Sequence, residues 1–251
     1  MAKTILITGA TAGFGQAMAR RFAAEGWNLV ITGRRVQRLE ALKAELAPAE
    51  VHTLDFDVRD RAACEQAVKS LPAAFANIDV LVNNAGLALG LEPAQACDLD
   101  DWEAMIDTNI KGLTYITRAV LPGMVERNAG HVVNLGSVAG TYPYPGGNCY
   151  GGTKAFVNHF SKNLRADLLG TRVRVTNIEP GMCETEFSVV RFKGDKASAD
   201  KVYEGISPIT PEDIAECVFW TTNLPAHVNI NALEVMPVQQ AFSPFAVSRD
   251  K

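Results

Sequence analysis

The feature that most restricts this chain lies at its start. A short apolar run, Thr4-Ile5-Leu6-Ile7-Thr8, leads straight into Gly9-Ala10-Thr11-Ala12-Gly13-Phe14-Gly15. A few β-branched and apolar residues bounded by glycine read as a buried strand. Residues 14–25 then carry apolar positions at helical spacing, with Met18 and Phe22 one turn apart and Gly26 as the stop. A glycine-rich turn alone is a weak signal, but between a strand and a helix it becomes a phosphate cradle. The glycines let a pyrophosphate approach the backbone, and the helix start offers free N–H groups and the positive end of its dipole. Gly9, Thr11, Gly13, Phe14 and Gly15 are therefore candidate cofactor-binding residues.

The same alternation continues down the chain. Strands are predicted at 28–32, 51–54, 79–83, 131–135, 172–178 and 232–236. Helices are predicted at 36–46, 61–71, 101–127, 150–169 and 212–222. About seven strands separated by helices imply right-handed βαβ units and a parallel sheet covered on both faces. The fold class expected is α/β, a Rossmann-type doubly wound parallel sheet. No composition break or internal repeat divides residues 1–251, so one domain is expected. Residues 180–211 read as long and irregular, as substrate loops and lids do.

Composition narrows the function. The apolar share of 47%, the charged share of 21% and the net charge of −4 fit a globular protein and show no basic stripe for nucleic acid. The five cysteines and four histidines are scattered without CxxC or HExxH spacing, so neither a disulfide framework nor a metal site is expected. No run approaches the ~20 apolar residues of a membrane span, and the N-terminus has no signal-peptide pattern. A soluble, cytoplasmic protein is the expectation.

The end of the second strand decides the nucleotide. An acid there would bind the ribose 2′-hydroxyl of NAD, whereas arginine suits the 2′-phosphate of NADP. This chain has Thr32-Gly33-Arg34-Arg35 and no acid. Cations at a helix start are disfavoured by roughly 0.3–1 kcal/mol, so two of them need a reason. The guanidinium fork matches phosphate. NADP(H) is the expected cofactor, with Arg34 and Arg35 at its phosphate.

Tyr150-Gly151-Gly152-Thr153-Lys154 opens a predicted helix. Positions i and i+4 share a helix face, so Tyr150 and Lys154 point into one cleft. Ser137 ends the preceding strand. Hydride reduction of a carbonyl leaves negative charge on oxygen, and that oxygen needs a proton. Tyrosine, with an ordinary pKa of ~10, is a poor acid at neutral pH unless a nearby ammonium favours its phenolate. Ser137 can hydrogen-bond the same oxygen. YxxxK by itself is weak; its weight comes from Ser137 and the Gly9–Gly15 turn.

With the TGxxxGxG spacing of that turn, Asn83-Asn84-Ala85-Gly86, Ser137 and YxxxK, the chain resembles the short-chain dehydrogenase/reductase family over nearly its whole length. The resemblance implies catalytic roles for Ser137, Tyr150 and Lys154. It adds Asn109 as a fourth member, holding a water that links the lysine to a proton relay. It implies adenine contacts at Asp57 and Val58, and cofactor contacts at Asn84, Ala85, Gly86, Tyr150 and Lys154. It also implies a nicotinamide clamp at Pro180, Gly181 and Thr185. Helices 101–127 and 150–169 would build a homodimer face, often doubled to a homotetramer.

A narrower resemblance rests on residues 84–90, 105–109, 121–128, 190–195 and 224–231. These resemble NADP-dependent 3-hydroxy acid dehydrogenases acting on L-serine, L-allo-threonine and 3-hydroxypropionate/malonic semialdehyde. Met182-Cys183-Glu184-Thr185-Glu186-Phe187 and the tail 240–246 look more like the sulfoacetaldehyde reductases of that subgroup, which make isethionate. The favoured expectation is sulfoacetaldehyde reduction, with the 3-hydroxy acid reaction as the alternative. Both substrates place an anion about two carbons from an aldehyde, so the pocket needs a cation. Arg191 is the candidate, with Lys193 behind it and Arg249 on the tail as a further possibility. Ser137 and Tyr150 complete the expected substrate contacts. A ketoacyl reductase would need a basic docking patch beyond Arg34-Arg35, and an NADP-sensing regulator need not keep Ser137, Tyr150 and Lys154.

Overall fold

The computed structural model describes residues 2–242. Thr4–Ile7 (β1), Asn28–Gly33 (β2), Val51–Asp55 (β3), Ile78–Asn83 (β4), Gly130–Leu135 (β5), Val173–Pro180 (β6) and Ala232–Val235 (β7) form one sheet. Its order is β3-β2-β1-β4-β5-β6-β7, and every pairing is parallel. The helices between strands are Gly13–Ala24 (α1), Val36–Glu45 (α2), Arg61–Lys69 (α3), Leu99–Ile106 (α4), Leu113–Glu126 (α5), Asn148–Asp167 (α6) and Pro211–Asn223 (α9). The expected doubly wound α/β sheet is what forms.

The strand sequences explain the layering. Successive strand side chains point to opposite faces. Ile5 and Ile7 join a core with Met18 and Phe22 of α1, Leu39 and Leu42 of α2, and Ile214 and Val218 of α9. Leu6 faces the other way, into a core with Cys64 of α3, Ile116, Val120 and Met124 of α5, and Leu164 of α6. Because both faces are covered, the central strands are apolar without alternation. Phe22 closes the first layer, edge-on to Trp27 at 5.0 Å and to Phe219 at 5.3 Å. Burying one such side chain stabilises by roughly 1.5–3 kcal/mol.

Two segments differ from the expectation. Residues 180–211 are not irregular throughout: Glu186–Arg191 (α7) and Lys196–Lys201 (α8) form inside them. Both start on side-chain caps, with Thr185 accepting from Phe187 N and Asp195 from Ser198 N, which supplies partners for otherwise orphaned amides. The 101–127 helix is also broken. Asp107–Gly112 winds as a π-helix between α4 and α5, with Asn109 inside it. Such turns gather at functional sites. A Cβ at Gly112 would sit 2.7 Å from Val58 Cγ2, so the glycine lets this turn lie against the loop after β3.

Among the described residues no helix is long and apolar enough to cross a membrane, and no group of three or more His, Cys, Asp or Glu could hold a metal. Arg249 and residues 243–246 lie outside the described residues.

Candidate active site

The strand order reverses between β1 and β4, and ligands of such sheets bind at the carboxyl ends of the strands beside that switch. There the glycine turn after β1 meets the loop after β4. Asn84 Nδ2 donates to Thr8 O at 2.8 Å and to Gly9 O at 3.1 Å, while Thr8 Oγ1 accepts from the amides of Asn84 and Ala85 at 3.0 Å each. The turn needs its glycines. Gly9 and Gly13 have φ of +69° and +51°, and a Cβ on Gly15 would lie 2.4 Å from Gly9 O. Asn83, one residue earlier, donates to Thr117 Oγ1 and Asn134 Oδ1, both at 2.8 Å, and so ties β4 to α5 and β5.

From this switch point a cavity of about 730 Å³ runs across the sheet edge. One end is lined by Thr11, Arg34, Arg35, Asp57 and Val58, and the other by Ser137, Tyr144, Tyr150, Lys154 and Arg191. Gly9, Gly13, Phe14, Asn84, Ala85, Gly86, Pro180, Gly181 and Thr185 line it in between. Gly15 lies behind the turn and serves its packing. The positions expected to hold cofactor are thus brought together around one elongated space that ends in two arginines, as a phosphorylated dinucleotide requires.

At the arginine end, Arg35 Nε and Nη2 donate to Thr11 Oγ1 at 3.1 and 2.8 Å. Arg34 lies 3.7 Å from Asp57. Burial pushes the Asp57 carboxyl up, but hydrogen bonds from Arg59 and the charge of Arg34 outweigh it and hold the group below its usual range.

At the other end, Tyr150 and Lys154 both line the cavity from α6, as the i, i+4 spacing predicts. Their electrostatics differ from expectation. Burial pushes the Tyr150 phenol well above its ordinary value, opposed by a hydrogen bond from Ser137 and by the charge of Arg191. Lys154 Nζ donates to Leu135 O at 2.7 Å and stands 5.8 Å from the Tyr150 ring centre, and burial brings its own pKa down to about 8. Ser137 Oγ accepts from Ala139 N at 3.1 Å, which fixes it at the end of β5.

Asn109 is buried, and both ends of its side chain are engaged. Nδ2 donates to Leu87 O at 2.8 Å and Thr153 Oγ1 at 3.0 Å, and Oδ1 accepts from Leu87 N at 2.9 Å. The side chain therefore braces the loop after β4 against α6.

The two substrate cations part company. Arg191, at the end of α7, points into the cavity. Its Nη2 donates to Tyr144 Oη at 2.5 Å, its Nε to Gly90 O at 3.3 Å, and its Cζ lies 5.5 Å from the Tyr150 ring centre. Lys193 is instead outside the cavity lining, exposed and paired with Asp101 at 2.8 Å. It stands two residues past Arg191 with a φ of +52°, so the chain has already turned away.

Tyr144 and Phe187 were missed from the sequence. Phe187 lies 5.5 Å from the Tyr150 ring, and Tyr144 meets Arg191. Tyr142-Pro143-Tyr144-Pro145, just upstream of Tyr150, was the available signal: aromatic residues on a proline-stiffened loop. Cys183 also lines the cavity, and burial pushes its thiol up to about 12, which disfavours the thiolate.

The profile of the short chain dehydrogenase family matches residues 3–196, and the chain belongs to that family. It is an NADP-dependent oxidoreductase of the short-chain type. Among curated proteins it is 62% identical to the NADP-dependent 3-hydroxy acid dehydrogenase of Salmonella typhi, over 98% of this chain and 99% of that one. It is 57% identical to sulfoacetaldehyde reductase 2 of Chromohalobacter salexigens, over 100% of both chains. Among solved structures, the closed form of serine dehydrogenase complexed with NADP+ superposes with a TM-score of 0.93 at 59% identity, covering 98% of this chain and 100% of that one.

Proposed function

We propose that this enzyme interconverts a small aldehyde bearing an anion and the matching hydroxy acid, with Tyr150 as proton donor and Arg191 as anchor of the anion. The observation that carries this reading is the position of Arg191: a lid cation inside the cavity, 5.5 Å from the ring of Tyr150. A substrate whose aldehyde oxygen meets Tyr150 has room to place an anion two carbons away against that guanidinium.

The residues divide the work as follows. NADPH, when bound, supplies the hydride. Arg34 and Arg35 hold its 2′-phosphate, the glycine turn its pyrophosphate, and Pro180, Gly181 and Thr185 its nicotinamide end. Ser137 and Tyr150 hydrogen-bond the carbonyl oxygen. Because the Tyr150 phenol keeps its proton well above neutral pH, it is in the form that can protonate the developing alkoxide. Lys154, still an ammonium at neutral pH, stabilises the phenolate left behind. With its side chain occupied, Asn109 serves by holding Leu87 and Thr153 in place.

The carboxylate is the better-supported anion, which reverses the order expected from the 182–187 segment. The guanidinium fork of Arg191 suits carboxylate and sulfonate alike; the 62% identity to a 3-hydroxy acid dehydrogenase, against 57% to a sulfoacetaldehyde reductase, favours the carboxylate. The sulfonate reading keeps the support of the 182–187 segment. Steady-state kinetics with NADPH and malonic semialdehyde, sulfoacetaldehyde and succinic semialdehyde decide between them. Comparable low activity on all three would remove the small-anion reading. The exposed apolar residues Leu99 and Ile106 of α4 and Val125 of α5 suit the homodimer or homotetramer anticipated above.

A further inference from the structure

The lid reaches the nucleotide end of the cavity through one side chain. Glu186, the first residue of α7, receives hydrogen bonds from Arg38 Nη1 at 2.8 and 3.0 Å and from Arg35 Nη1 at 3.1 Å. Arg35 also donates from Nε and Nη2 to Thr11 Oγ1, and Arg38 lies 3.5 Å from Thr11 O. The Glu186 carboxyl is held below its usual range by the Arg38 hydrogen bond first, then by Arg35. A carboxylate thus sits on Arg35, one of the two arginines assigned to the cofactor's 2′-phosphate, and on Arg38 beside it, and it comes from the element that carries Arg191 and Phe187.

We infer that Glu186 is a built-in competitor for the 2′-phosphate site, occupying Arg35 and Arg38 with a lid carboxylate that the incoming phosphate must displace. This rests on Arg35 being a phosphate ligand. A carboxylate and a phosphate monoester ask the same thing of a guanidinium, paired acceptor oxygens on an anion, but the phosphate brings more charge and a third oxygen. The bridge is built to yield. Arg35, Arg38 and Glu186 each have nearly half of the side chain exposed, and such surface pairs contribute little. NAD, which has no 2′-phosphate, leaves the bridge in place. NADP replaces it, and the released carboxylate frees the start of α7.

The test is calorimetric titration of the full chain and its Glu186→Gln and Arg35→Gln variants with NADP+, NAD+ and adenosine 2′-monophosphate. The last carries the phosphate but no nicotinamide to meet the lid. Glu186→Gln keeps the shape and removes the charge. It is expected to tighten NADP+ and adenosine 2′-monophosphate about fivefold, the Coulomb effect of one like charge a few ångströms away in a water-like medium, and to leave NAD+ unchanged. Unchanged or weaker NADP+ binding, or equal tightening of NADP+ and NAD+, would overturn the inference. Arg35→Gln separates the two levels. If it leaves the NADP+ to NAD+ preference intact, the arginine reading itself fails. If it abolishes the preference while Glu186→Gln tightens nothing, only the competition fails.

Discussion

The guanidinium carbon of Arg191 lies 5.5 Å from the centre of the Tyr150 ring. One residue sits on α7 and the other on α6, 41 positions apart in the sequence: burial drives the Tyr150 pKa up, and the charge of Arg191 opposes it. In the proposed reaction, anion binding and proton transfer would therefore share one electrostatic environment.

Replacing Arg191 with Ala removes the anchoring charge from the cavity. The expected outcome is a rise in KM for the anionic aldehyde of at least tenfold, about the 1.5–3 kcal/mol of a hydrogen bond to a charged group. Lys193→Ala, outside the cavity, should leave KM within a factor of about two, as surface changes do. Equal effects of the two variants in steady-state kinetics would contradict the assignment of Arg191.

Tyr150→Phe removes the proposed proton donor and keeps the ring that packs on Phe187. NADPH should bind normally, by fluorescence titration, while turnover falls by at least the ~10²-fold typical of a lost general acid. Substantial residual turnover would show that another group protonates the alkoxide.

Lys154 links stability to pH. Its folded pKa is lowered by burial to about 8, below the ordinary 10.5. Between these values the unfolded chain holds the proton and the folded chain does not, so this group makes the unfolding free energy rise with pH from about 8 to 10.5. Below pH 8 the cost of the buried charge is fully present. The wild-type melting temperature, measured relative to Lys154→Met, should therefore increase between pH 7.5 and 10 (roughly the window just named). A constant difference would mean that Lys154 is not desolvated as the structure has it.

Gly15→Ala tests the phosphate turn. A Cβ there would lie 2.4 Å from Gly9 O and 2.7 Å from Asn84 Nδ2. Overpacking of this kind costs roughly 1–3 kcal/mol. Both the melting temperature and NADPH affinity should drop, because the backbone that must move is the cradle itself. A melting temperature and affinity equal to wild type would show that the turn adapts.

Asn109→Ala should destabilise by about 1–3 kcal/mol, the cost of leaving buried partners unpaired. Leu87 N, Leu87 O and Thr153 Oγ1 would all lose their Asn109 partner. Thermal unfolding reads the cost directly.

Much of this protein was determined by sequence alone, wherever the information is local. Strand β1, its glycine turn and α1 are neighbours along the chain, so periodicity and glycine placement specify them. The alternation of short apolar runs and amphipathic segments implies a parallel sheet, because only helices can cover both faces of such strands. Tyr150 and Lys154 were legible together because a helix puts i and i+4 on one face. What sequence could not decide depends on distance in space. The spacing brings Lys154 near Tyr150, but only packing turns its ammonium to Leu135 O and leaves burial to dominate the phenol. Sequence puts Arg191 ahead of Lys193 but gives both as loop cations; only the turn at Lys193 sends one inward and the other to Asp101. Glu186 was only one position of the 182–187 segment until the fold placed it on Arg35 and Arg38. Local chemistry sets the elements; long-range packing, through burial and charge proximity, sets what their side chains can do.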